Sequence, residues 1–92
     1  MDKESLTEKL LDLVEGRETP ETWRNWWDEH ETELEALLSR AEFLKLKPCR
    51  HGFQWVPVFG SQKGAIAILE KSGTAFEASN LYQERYLAEL DA

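Results

Sequence analysis

Cysteine occurs once in this chain, at Cys49, so no internal disulfide can staple it. No run of about 18 apolar residues occurs either, which leaves nothing to span a membrane as a helix. The opening stretch, MDKESLTEKL, is acidic and polar where a secretory signal needs a basic start and an apolar run. Together these absences point to a reducing, intracellular setting, the cytoplasm. Catalytic signatures are also missing. None of the spacings G-x-S-x-G, H-E-x-x-H, G-x-x-x-x-G-K or G-x-G-x-x-G is found, and Gly60-Ser61-Gln62-Lys63-Gly64 fits no phosphate-binding pattern. Acid, finally, is absent from residues 43–69, which hold four bases, whereas residues 1–42 hold 13 acids and five bases. The net charge of −7 therefore conceals −8 at the front, +4 in the middle and −3 at the end. Binding phosphates takes clustered Lys and Arg, and four bases are few, so neither a nucleic acid nor an anionic membrane is the expected partner.

What is present suffices for one globular domain. Ninety-two residues, 41% hydrophobic and 32% charged, with four Trp, four Phe and two Tyr, exceed the roughly 70 to 80 residues below which a lone core needs staples. A single domain over 1–92 follows. The most informative stretch is Thr19 to Ala41. Stepping about 100° per residue from Trp23 puts Trp26, Trp27, His30, Leu34, Leu37, Leu38 and Ala41 within roughly 60° of it, one apolar stripe along a helix. Thr19 can cap the first free amides and Pro20 suits the first helical position, so a helix is predicted over 20–41. At about 1.5 Å per residue it would be roughly 33 Å long and would organise everything packed on it.

Before it, Leu6, Leu10, Leu13 and Val14 recur at helical spacing over 5–15, with Ser5 or Asp2 as cap and Gly16 as terminator. The short link to Thr19 makes the two segments antiparallel neighbours, a helical hairpin. After Ala41 the period changes to two. Phe43-Leu44-Lys45-Leu46-Lys47 alternates as a half-buried strand does, and Phe53 to Phe59 reads as a second strand, at an edge or broken by a bulge at Pro57, which has no amide hydrogen. Ala65-Ile66-Ala67-Ile68-Leu69 reads as a central strand between turns at Gly60–Gly64 and Lys71–Gly73, and Thr74–Ala78 as a short fourth. Ser79 or Asn80 then caps a last helix bearing Tyr82, Tyr86, Leu87 and Leu90. The expected fold is α+β: an N-terminal helical hairpin whose long second helix packs on a small, mainly antiparallel sheet of three or four strands, followed by a C-terminal helix.

Chemistry is sparse. Cys49 and His51 stand close in sequence, but zinc needs four ligands and His30 lies in another element, so no metal and no cofactor are expected. A thiol nucleophile at Cys49 activated by His51 is the enzymatic alternative, and it would need a third group to orient the base. His30, on the apolar stripe, reads as a half-buried structural histidine. The acidic side of the long helix is more telling: Asp28, Glu31, Glu35 and Glu42 fall together beside the tryptophans, and the Glu31–Glu35 pair, four residues apart, should destabilise an isolated helix by roughly 0.2–0.5 kcal/mol. Such a ridge suits capture of a basic partner protein through Asp28, Glu31 and Glu35, with Trp55 on its edge strand as an aromatic anchor. The function expected is non-catalytic protein binding, of the kind performed by immunity-type inhibitors that neutralise a basic toxin or nuclease. The alternative is a homodimer in which a second copy covers the Pro57 strand or the tryptophan face.

Overall fold

The computed structural model describes residues 1–91, and among these there is no strand. Five helices follow in order: α1 (Lys3–Val14), α2 (Pro20–Leu37), α3 (Arg40–Leu46), α4 (Val56–Ser72) and α5 (Leu81–Asp91). The α+β expectation is therefore wrong, and the first three predicted strands fail for physical reasons that can be named.

The first two helices start where local chemistry says they should. Asp2 Oδ1 accepts from the Ser5 amide at 2.8 Å, so Asp2 rather than Ser5 caps α1. Gly16, at φ 85°, takes the left-handed conformation past its end. Thr19 and Thr22 exchange reciprocal side-chain and amide hydrogen bonds at 3.1 and 2.8 Å, and Pro20 opens α2. The two helices run antiparallel: Lys9 of α1 lies over the Trp26 ring, and the Met1 amino group reaches Glu33 near the far end of α2. Glu18 between them is buried, an arrangement tolerable only because Lys9 Nζ sits 2.8 Å from its carboxylate and the Thr22 hydroxyl donates to it.

The long helix ends earlier than predicted. Leu38 is extended, and Ser39 starts a new helix through a second capping box: Ser39 Oγ accepts from the Glu42 amide, and the Glu42 carboxylate accepts from the Ser39 amide. That S-x-x-E signal outweighs the alternation of Leu44 and Leu46 with lysines. In α3 the buried residues are Phe43 and Leu46, three apart, and Leu44 is 55% exposed. A seven-residue segment satisfies both periods, so the caps decide.

From Val56 onward the second and third predicted strands, with the turn between them, are one helix. Pro57 lies in the first turn of α4, where its missing amide hydrogen costs nothing, and Gly73 at φ 73° ends the helix. Val58, Ser61, Gln62, Ala65 and Leu69 are buried along one face at helical spacing. Much of that face is small or polar, which is why no apolar stripe announces it. Yet α4 packs against each of the other four helices. Small residues permit this: a Cβ at Gly64 would stand 2.5 Å from the Lys45 carbonyl oxygen, and Ser61 Oγ donates to the Leu46 carbonyl at 2.7 Å. Gln62 Nε2, also buried, donates to the carbonyls of Val14 and Ser79, tying the end of α1 to the segment before α5. That segment includes 74–78, predicted as a strand and here without regular structure.

The core is completed by Trp23, Trp27 and Leu34 from α2 and Tyr82 from α5. Each apolar side chain so buried contributes about 1.5–3 kcal/mol. Tyr82 also joins distant parts of the chain: its hydroxyl accepts from the Glu18 amide at 2.9 Å and its ring stacks on Trp55. Burial pushes its pKa up to about 12.

Candidate functional site

The acidic side of α2 does not form the ridge expected. Glu42 leaves the row because it belongs to α3, and its carboxyl is held below the usual range first by the Ser39 amide it caps. Glu31 is half-buried and occupied: Trp27 Nε1 donates to its Oε2 at 2.7 Å, and Lys47 Nζ lies 3.8 Å away. Its position follows from the helix, since Trp27 is one turn earlier on the same side. Asp28 and Glu35 are exposed, and among the described residues neither has an ion-pair partner. With Glu21, also exposed, they stand seven residues apart along one strip of α2.

Beside this strip a groove of about 560 Å³ opens between α2 and the connection from α3 to α4. Asp28 and Glu31 line it from one side and Leu44, Lys47, Cys49 and Arg50 from the other, with Arg24 spanning the two. Arg24 Nη2 donates to the Cys49 carbonyl at 3.0 Å, which fixes the connection against the helix. Three cations and two carboxylates thus share the groove, next to a largely exposed leucine. Such a mixture can meet charges of either sign on a partner surface. The contributions of Lys47 and Arg50 were hidden in the sequence because they come from the basic middle segment, assigned to a strand and a loop. The signal available was Arg24, one turn before Asp28 on α2.

Trp55 is elsewhere. It precedes the first turn of α4, half-buried, with its ring 5.8 Å from that of Tyr82. Its amide and that of Gln54 both donate to the Glu89 carboxylate, at 2.6 and 2.7 Å, so a side chain from α5 caps α4 in trans. The edge strand that would have presented Trp55 does not exist.

Cys49 is exposed, and no hydrogen bond joins its sulfur to His51 among the described residues. His51 instead accepts from the Phe53 amide through Nδ1 and stacks on the Phe53 ring. His30 Nδ1 donates to the Trp26 carbonyl at 2.9 Å, and its ring lies on Trp26, which stacks in turn on Trp23. No group of three His, Cys, Asp or Glu side chains among the described residues is placed to hold a metal, and no described helix is long and apolar enough to cross a membrane. No protein-family model matches the chain, and neither a curated protein nor a solved structure matches it.

Proposed function

We propose that this chain is a small cytoplasmic binding domain that docks a basic partner protein along the outer strip of α2 and the groove beside it. It acts by occlusion and performs no chemistry, as an immunity-type inhibitor does when it covers a toxin or nuclease. The observation that carries this reading is the exposure of Asp28 and Glu35, without ion-pair partners among the described residues, in a chain of net charge −7. Unpaired surface carboxylates cost little in the free protein and attract an oppositely charged surface as it approaches. Leu44, 55% exposed at the groove, supplies apolar contact area, while Glu31 keeps Trp27 and Lys47 in place.

The test is the double reversal Asp28→Lys/Glu35→Lys, measured against a partner recovered from the native host. Association at low salt should slow at least tenfold, with thermal unfolding nearly unchanged, because both residues face water. An unchanged association rate removes the reading.

A homodimer is the second reading, and one feature favours it. Leu87 and Leu90 of α5 are 47% and 46% exposed, and among the described residues α5 packs mainly against α4. The faces first considered for a dimer do not serve, since Pro57 is helical and Trp23 and Trp27 are buried. Sedimentation separates the two readings: a chain that stays monomeric at high concentration excludes the dimer.

A further inference from the structure

Side chains close the N-termini of the first four helices: Asp2 on α1, Thr19 on α2, Ser39 on α3 and, from α5, Glu89 on α4. The start of α5 is less complete. Ser79 Oγ accepts from the Leu81 amide, but among the described residues the amides of Tyr82 and Gln83 have no acceptor. The Ser79 carbonyl, four residues before Gln83, accepts from the buried Gln62 side chain instead.

Beside this end of α5 lies a cleft of about 390 Å³, walled by Phe59, Lys63 and Ile66 of α4 and by Asn80 and Gln83. No acid is among its lining residues, in a chain that carries 18. Lys63 Nζ stands 4.5 Å from the centre of the Phe59 ring and has no ion-pair partner among the described residues. Gln62 lines the cleft too, although it is only 3% exposed. Its Nε2 donates to the carbonyls of Val14 and Ser79, so the amide cannot flip without setting its oxygen against both of them. Gln62 Oε1 accepts from nothing among the described residues, yet it is not sealed: the buried side-chain atom left without a partner there is Trp23 Nε1. An oxygen that is neither paired nor sealed reaches the cleft that its residue lines.

A lysine and two free amides at a helix start attract an anion. A fixed acceptor beside them opposes a simple one, unless the anion brings its own N–H donor. The carboxyl end of a peptide has both groups, one carbon apart. We propose that this cleft binds the C-terminus of a peptide chain: carboxylate on the Tyr82 and Gln83 amides near Lys63, last N–H on Gln62 Oε1, terminal apolar side chain against Phe59 and Ile66. Volume sets the extent. At about 30 Å³ per non-hydrogen group, the share a water molecule takes in the liquid, the cleft holds about thirteen groups, a leucine-sized residue with the peptide unit before it. No residue of the cleft lies on the α2 strip or in its groove, so this site stands or fails apart from the docking reading.

The test is a titration of the full chain with acetyl-Ala-Ala-Leu, followed by NMR of backbone and side-chain amides. The expected result is saturable, one-to-one binding that moves the Tyr82 and Gln83 amides and the Gln62 side-chain amide. The same peptide with a C-terminal carboxamide should bind at least about tenfold more weakly, and so should the analogue whose last N–H is replaced by an ester oxygen. The ester tests Gln62 without disturbing its ties to Val14 and Ser79. Lys63→Glu, on an exposed side chain, should lower affinity about tenfold. Asn80→Asp supplies a competing carboxylate at the same amides, so peptide binding should weaken while thermal unfolding comes no earlier than in the parent. Shifts that never saturate, equal binding of acid and carboxamide, equal binding of amide and ester, or sulfate bound as tightly as the peptide would overturn the proposal.

Discussion

Helices α2 and α4 are nearly equal in length, 18 and 17 residues, and bury opposite kinds of surface. From α2 come Trp23, Trp27 and Leu34, large side chains on a stripe that leaves the other side to acids. From α4 come Ser61, Gln62, Gly64 and Ala65 as well as Val58 and Leu69. Bulk lets α2 supply core volume from the periphery. Smallness lets neighbours approach the buried face of α4 closely, and Gly64 and Ser61 bring its backbone close to that of α3. The centre of this protein is therefore the helix with the weaker sequence pattern.

If α2 contributes volume, Trp27→Ala should have the largest effect. A fully buried tryptophan that packs on Phe43 and donates to Glu31 should cost about 3–5 kcal/mol when truncated, read from chemical denaturation. A loss below about 1 kcal/mol would mean that α2 is peripheral to the core as well as to the topology.

Tyr82 joins the approach to α2 to the start of α4, and its titration sharpens the comparison. Its folded pKa of about 12 exceeds the unfolded value near 10, so the folded state holds the proton more tightly. The stability from this difference is complete below pH 10 and is lost as pH rises from about 10 to about 12. Two units correspond to about 2–3 kcal/mol. The alkaline decline should shrink in Tyr82→Phe, although that variant starts lower because the Glu18 amide loses its acceptor. Equal alkaline declines in the two proteins would show that the Tyr82 phenol is not sealed between the two helices.

The smallest pair isolates the role of small residues in α4. Gly64→Ala should destabilise by about 1–3 kcal/mol, since the added carbon meets backbone of α3 that cannot step aside. Gly60→Ala, in the same helix with nothing within 4 Å, should stabilise by about 0.5–1 kcal/mol through helix propensity. Effects of the same sign at both positions would break the account of α4 as a close-packed hub.

The candidate site was legible in part. Asp28 and Glu35 could be placed on the wet side of α2 from their spacing alone, because helical phase is a local property. The engagement of Glu31 by Trp27 one turn back was within reach of the same reasoning. Lys47 and Arg50, which complete the groove, and Trp55, which faces Tyr82, depended on a segment whose conformation had been misjudged. Leu44 is the clearest case: alternation assigned it to a strand, and only the Ser39–Glu42 box shows that it stands on the outer side of a helix.

Residue order alone determined the starts and stops that rest on neighbours a few positions apart: the Thr19–Thr22 box, Pro20 at the head of α2, Gly16 after α1, Gly73 after α4, and the tryptophan stripe itself. The tertiary structure decided that residues 56–72 coil. A segment whose buried face holds Ser61, Gln62 and Gly64 and whose wet face holds Gly60 and Ala67 has too little contrast to set its phase, so an apolar run such as Ala65–Leu69 satisfies strand and helix alike. What settles the matter is long-range: Gln62 reaching Val14 and Ser79, Gly64 lying against Lys45, and Glu89 capping the amides of Gln54 and Trp55. Those contacts join residues far apart in the chain, and they exist only once the helices have packed.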